Sequence, residues 1–274
     1  MIGWKENGMI IVDLDGTLLN NDKKIGSNDF NTLTEIGKWG IKRVIATGRS
    51  LFSALRVLDV HTPVDYLIFS SGAGIIDWNS NNLLFKSEIG IEKVNKVIYL
   101  LKNLKLNFSV HFPVPDNHKY YFWSGKKISP DFEQRNKIYS SCCGEMLNGF
   151  PFEKATQFVV ILENEEEFNY VSSKIEDLKV IRATSPIDLK SVWLEIFNLG
   201  VSKADGAKFL CRKFGIKQKQ TISIGNDYND LDLLNWTSKS FVVNNAPEII
   251  KSQFLVCNSN SENPLTSVIQ QLSI

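Results

Sequence analysis

Neither a dominant charge nor a long apolar run marks this chain. Its 31 basic and 30 acidic side chains leave a net charge of +1, so no overall field draws it to nucleic acid or to an anionic membrane. Apolar runs such as Phe158–Leu162 are far too short to span a bilayer. The four cysteines, Cys142, Cys143, Cys211 and Cys257, show no Cys-x-x-Cys spacing, which argues against a zinc site or a disulfide framework and for buried or incidental thiols. The three histidines, His61, His111 and His118, show no metal-ligand spacing. The stretch Met1–Gly8 carries two charges and no apolar centre, so no secretory leader is expected and the cytoplasm is the default location. Repeats, linkers and low-complexity segments are lacking as well.

What is present is a pair of carboxylates in an unusual place. In Met9-Ile-Ile-Val-Asp13-Leu14-Asp15-Gly16-Thr17, an apolar strand runs into a turn. Residues i and i+2 of an extended chain share a face, so Asp13 and Asp15 start on one side. Gly16-Thr17 lets the backbone turn sharply and leaves N–H groups free to face an anion. Such a cluster can hold a hard cation through oxygen while one carboxylate acts as nucleophile and the other as acid/base.

The 274 residues predict two compact units, and the 43% apolar share supplies a core for each. Strand and helix signals first alternate. A strand Met9–Leu14 precedes a helix capped by Ser27 or Asn28, carrying Leu33 and Ile36 and ending at Gly40. A strand Ile41–Ala46, a helix from Ser50 through Leu58 and a strand Tyr66–Phe69 follow. That rhythm predicts a parallel sheet with ligands at the carboxyl ends of its strands. From Ala73 it changes to a hairpin (Ile75–Asp77 with Leu83–Phe85). A mixed stretch then has helices at Val94–Leu101, Phe132–Tyr139 and Phe168–Leu178, and strands at Phe108–His111, Tyr120–Trp123, Phe158–Leu162 and Val180–Arg182. The run Glu163–Glu167 suits the first turn of a helix, where negative charge meets the dipole. Trp193–Phe197 reads as a return to the alternating core.

Four segments, in order and each at the end of a strand or the start of a helix, resemble the motifs of the haloacid dehalogenase superfamily. They are Asp13-Leu14-Asp15-Gly16-Thr17, Thr47-Gly48-Arg49, Ser202-Lys203 and Gly225-Asn226-Asp227-Tyr228-Asn229-Asp230. The inserted α+β stretch between the second and third resembles the cap of the Cof-type subgroup. The resemblance implies a Rossmann-like parallel-sheet core (residues 1–86 and 192–274) with an inserted α+β cap (87–191). It also implies a phosphatase using Mg²⁺ and an aspartyl-phosphate. Asp13 is then the nucleophile. Asp15 is the acid/base, a role that asks for a raised pKa. Thr47, Gly48 and Leu14 hold phosphoryl oxygens, Lys203 neutralises charge and Asn229 touches phosphate. Arg49 makes a cap-facing contact.

For the metal, the resemblance implies Asp13, the carbonyl of Asp15 and the fourth motif. There the chain departs from the usual Gly-Asp-x-x-Asn-Asp: Asn226 stands where an aspartate is common, with Asp227 beside it and Asp230 beyond. Either Asn226 ligates through its neutral oxygen and Asp230 acts from behind, or the turn shifts so that Asp227 ligates; Asn226 is preferred. Ser70-Ser71-Gly72-Ala73 departs from a common Asn-Gly-Ala at Ser71. The loop from His111 to His118, with Tyr120–Trp123 after it, is a candidate sugar contact or a loop packed on its own sheet. The expected partner is a small phosphorylated metabolite, sugar phosphate foremost, with no nucleic acid or membrane and a monomer or homodimer. Alternatives are a phosphotransferase or phosphomutase on the same scaffold, and a non-catalytic phospholigand-binding protein.

Overall fold

Short apolar runs become the buried strands of two separate sheets. The computed structural model describes residues 7–127, 129–147 and 149–272; the stretch 1–6, which bears on the expected lack of a leader, lies outside them. The chain divides into two compact units, one running to Phe85 and resuming at Ser202, the other Lys86–Val201. No described helix is long and apolar enough to cross a membrane.

The first unit is built on an eight-stranded sheet in the order Leu255–Cys257, Lys239–Val243, Thr221–Gly225, Met9–Asp13, Lys42–Ala46, Tyr66–Phe69, Gly74–Asp77, Leu83–Lys86. The first six run parallel, and Gly74–Asp77 turns back antiparallel on Tyr66–Phe69. Met9–Asp13, Tyr66–Phe69 and Thr221–Gly225 are buried at every position, as strands covered on both faces must be. Chain order reverses at Met9–Asp13, which has Lys42–Ala46 on one side and Thr221–Gly225 on the other. In such sheets this reversal opens a crevice beyond the carboxyl ends of the strands. The helix Ser27–Lys38 follows Gly26 with no side-chain cap, so neither Ser27 nor Asn28 plays the expected part. The helix after Ser50 is one turn, Leu51–Ala54, shorter than predicted.

The second unit carries a six-stranded sheet in the order Lys179–Thr184, Val192–Phe197, Phe158–Leu162, Asn107–His111, Tyr120–Trp123, Cys143–Glu145. Val192–Phe197 does not return to the first unit but pairs with Phe158–Leu162 and Lys179–Thr184, so this unit reaches Val201 rather than 191. All six of its residues are buried: Leu194 and Ile196 pack into one cluster and Trp193 into another on the opposite face. A strand covered on both faces looks the same in either unit. The helix predicted at Phe168–Leu178 is Glu165–Ser172, because Asn164 caps it by accepting from the Glu167 N–H at 2.9 Å.

On the face of this sheet opposite its main cluster, His111 is buried and fully engaged. Its Nδ1 lies 2.8 Å from the Asn117 carbonyl, and its Nε2 lies 2.9 Å from Arg135 Nη2. A guanidinium only donates and a carbonyl only accepts, so the ring is neutral with its proton on Nδ1. Arg135 also donates to Ser109 Oγ at 3.1 Å and lies 4.2 Å over the Tyr120 ring. His111 is therefore engaged within its own unit, and its ring is not free for a sugar.

Burial, and then the charge of Arg135, pushes the His111 pKa down to about 3. Below its ordinary value near 6.5, the unfolded chain takes up a proton that the folded unit refuses, so stability is fully present above pH 6.5 and falls as pH drops towards 3. His111→Gln keeps an acceptor for Arg135 and removes the titrating ring, so the difference in urea stability between wild type and this variant reports the effect. From pH 7 to 4.5 that difference should move against the wild type by at most about 1.4 kcal/mol per pH unit.

Candidate active site

The strand register brings the sequence motifs to one place. Asp13 pairs with Ala46, and Val12 with Ile224, so Thr47 and the Gly225-Asn226 turn flank Asp13 at neighbouring strand ends. Beyond Asp13 the chain folds back: the Leu18 and Leu19 N–H groups donate to the Asp13 and Leu14 carbonyls at 3.2 and 2.9 Å. Gly16 makes this possible with φ +71°, a region that an L side chain rarely enters. Thr47 is buried; its Oγ1 accepts from the Arg49 N–H at 3.1 Å, and its carbonyl accepts from the Ser71 N–H at 2.9 Å. Ser71, the departure noted above, sits in the left-handed region with φ 53°. It is followed by Gly72, where a Cβ would run into the Ser202 carbonyl.

Lys203 ties the parts together. Opening the helix Lys203–Phe214 behind its cap Ser202, it is 0% exposed. Its Nζ donates to Asp13 Oδ1 at 2.6 Å, to Asp230 Oδ1 at 2.7 Å and to Asn229 Oδ1 at 3.4 Å. The other oxygen of Asp230 accepts from the backbone N–H groups of Asn226 and Asp227 at 2.9 and 3.1 Å. Asp230 therefore positions Lys203 and the turn. One ammonium serves two buried carboxylates, and the charges follow from that. Burial, together with the nearby Asp230 charge, outweighs Lys203 and raises the Asp13 pKa to about 7. Burial alone would lower the Lys203 pKa, but Asp13 and Asp230 outweigh it and hold the amine protonated.

Asp15 is held quite differently. Arg49 Nε and Nη2 donate to its two oxygens at 2.6 and 2.8 Å, and Lys23 approaches one of them at 3.5 Å. Partial burial would raise its pKa; the Arg49 hydrogen bonds and charge, then Lys23, overcome this and lower it. The raised pKa expected for Asp15 is thus overturned: the carboxylate pushed upward is Asp13. Arg49, expected as a cap-facing contact, is bound here to Asp15 and, through Nη1, to Ser53 O and Oγ at 3.2 and 3.0 Å.

Asn226 lies against the first motif. Its Oδ1 accepts from Thr17 Oγ1 at 3.3 Å, and a Cβ on Gly16 would sit 2.6 Å from its Nδ2. Asn245 holds the same turn by donating to the Gly16 carbonyl at 2.9 Å; no motif in the sequence pointed to it. Among the described residues no group of three or more His, Cys, Asp or Glu side chains could hold a metal. The hard donors at hand are the Asp13 carboxylate and the neutral Asn226 oxygen, to which the resemblance adds the Asp15 carbonyl. That all-oxygen set fits Mg²⁺, which keeps several waters and needs few protein ligands.

A family model of haloacid dehalogenase-like hydrolases matches residues 10–269. The 5-amino-6-(5-phospho-D-ribitylamino)uracil phosphatase YcsE of Bacillus subtilis is 23% identical, the match covering 96% of this chain and 94% of the relative. The fold is similar to that of BT1666 from Bacteroides thetaiotaomicron, among the phosphatases of the same superfamily, with a TM-score of 0.82 at 21% identity over 100% of this chain and 97% of that one. It is also similar to BT4131, a subclass IIB sugar phosphatase, with a TM-score of 0.77 at 20% identity over 97% and 99%.

Removing the shared cation should expose the electrostatic debt of the site. Lys203→Met leaves Asp13 and Asp230 buried without their ammonium, and breaking such a cluster typically costs about 3–5 kcal/mol. Urea unfolding at pH 7.5 should report a loss of that order. The deficit should shrink as pH falls and Asp13 takes up its proton.

Proposed function

We propose that this chain, which belongs to the haloacid dehalogenase-like hydrolases, is a Mg²⁺-dependent phosphatase of small phosphorylated metabolites, sugar phosphates foremost, working through an aspartyl-phosphate on Asp13. The observation that carries this reading is the buried Lys203 shared between Asp13 and Asp230 where the sheet order reverses. A fixed positive charge beside a buried carboxylate suits the handling of an anionic phosphoryl group. The phosphatase relatives support the reaction class, and the sugar phosphatase neighbour supports the substrate class. A soluble substrate met in the cytoplasm goes with this reading.

Asp13 attacks phosphorus with a carboxylate oxygen as the bond to the leaving oxygen breaks. Asp15 delivers a proton to that oxygen, then takes one from the water that cleaves the aspartyl-phosphate and restores Asp13. Lys203, the Thr47 hydroxyl, the Leu14 and Gly48 N–H groups and Asn229 hold the phosphoryl oxygens throughout. The Asp13 carboxylate, the Asp15 carbonyl and Asn226 would hold Mg²⁺, which when bound screens the repulsion between carboxylate and phosphate. Asp230 stands behind them and orients Lys203.

Asp13→Asn should abolish turnover of p-nitrophenyl phosphate while the circular dichroism spectrum and melting temperature stay near wild type; residual turnover close to wild type would end the covalent mechanism. Asn226→Asp adds a charge to the donor set and should tighten Mg²⁺ binding, read as a larger rise in melting temperature on adding MgCl₂. Asp227→Asn should alter that rise little. The reverse pattern would make Asp227 the ligand.

A further inference from the structure

Both oxygens of Asp15 are occupied. The Arg49 fork takes one through Nε at 2.6 Å and the other through Nη2 at 2.8 Å, while Nη1 rests on Ser53. Two charge-assisted hydrogen bonds from a group that only donates hold the carboxylate as an anion and make it a poor proton donor to a leaving oxygen. For the role assigned above, and resting on that reading, the grip must loosen during the reaction. The group best suited to loosen it is the substrate itself. A phosphoryl group offers a guanidinium the same two-pronged acceptor as a carboxylate and carries more charge. Arg49 also begins two residues beyond Thr47, whose hydroxyl accepts from its backbone N–H at 3.1 Å. Its side chain is partly exposed, at 23%, so it is not locked in a packed core.

We propose that Arg49 is a positioning residue exchanged between Asp15 and the phosphoryl group. It holds Asp15 when no phosphoryl group competes, and moves to the phosphoryl oxygens when one arrives, which frees Asp15 for proton transfer. Ser53 is the rest on which the guanidinium turns. Binding is thereby coupled to readiness: the proton donor comes free only when there is a phosphate to cleave. The exchange also makes Asp15 a competitor of the substrate for the same cation, so it opposes phosphate affinity beyond its simple negative charge.

A double-mutant cycle on the binding of inorganic phosphate, measured by calorimetry at fixed MgCl₂, separates these effects without relying on turnover. Asp15→Asn releases Arg49 and should tighten phosphate about tenfold, or about 1.4 kcal/mol. In an Arg49→Met background the same change should gain about twofold or less, the part due to lost repulsion alone. Equal gains in the two backgrounds would overturn the exchange, as would no gain in either. With p-nitrophenyl phosphate, Arg49→Met should raise KM more than it lowers kcat, and Arg49→Lys, which lacks the fork, should not restore KM. A fall in kcat with KM unchanged would instead make Arg49 a fixed support for Asp15. Arg49→Gln replaces Arg49→Met if the latter does not fold. If the wild type neither binds phosphate nor turns over p-nitrophenyl phosphate, the phosphatase reading fails and takes this inference with it. Phosphate binding with additive mutational effects removes the exchange alone.

Discussion

An ammonium group taken wholly out of water costs several kcal/mol unless opposite charges and hydrogen bonds surround it, and Lys203 is wholly out of water. Asp13 and Asp230 supply the charges, and Asn229 adds a longer contact. Because Asp13 comes from a strand end, Lys203 from a helix start and the Asn229-Asp230 pair from the turn after another strand, one buried cation fixes the relative positions of three segments separated in sequence. Two carboxylates on one ammonium leave a surplus negative charge in a dry place, and burial, helped by the nearby Asp230 charge, lifts the Asp13 pKa. The interaction that locks the fold here also sets the electrostatics of the proposed nucleophile.

Close packing around this cluster constrains the backbone more than the chemistry does. A Cβ on Gly225 would come 2.6 Å from Asp230 Cγ, and one on Gly72 would meet the Ser202 carbonyl. The glycines let Asp230 close on its two N–H donors and let the turn after Tyr66–Phe69 lie against the start of the Lys203 helix. Asn245 and Thr17 add polar ties that keep the Gly16 turn and Asn226 together. The site is held by backbone proximity first, and the side chains are aimed from that frame.

Local patterns carried much of this fold. The Met9–Asp13 strand and its two carboxylates were legible because strand periodicity and turn chemistry act over a few residues. The same holds for the helix behind Ser202, whose cap accepts from the Asp205 N–H. Long-range facts were not legible. Val192–Phe197 has the composition of a core strand, and only pairing tells which sheet it joins. Lys239–Val243 and Leu255–Cys257 extend the parallel sheet, yet as short segments without a motif they carry little local signal. The tie between Asp15 and Arg49 joins residues 34 apart in sequence, and nothing local announces it.

That tie changes how the two carboxylates of the first motif should be understood. Proximity alone suggests that one of a close pair keeps its proton, and the sequence made Asp15 the candidate. Environment decides otherwise: Asp13 is buried with a shared cation, whereas Asp15 is partly exposed and bound by both Arg49 and Lys23. A group so held is an anion by construction, and it becomes a proton donor only if its cations can be drawn elsewhere. The reaction assigned to this site supplies something to draw them, because a phosphoryl group is a stronger claimant for a guanidinium than a carboxylate is. Charge that is mispaired for catalysis in the structure thus becomes correctly paired through the arrival of the anion to be cleaved.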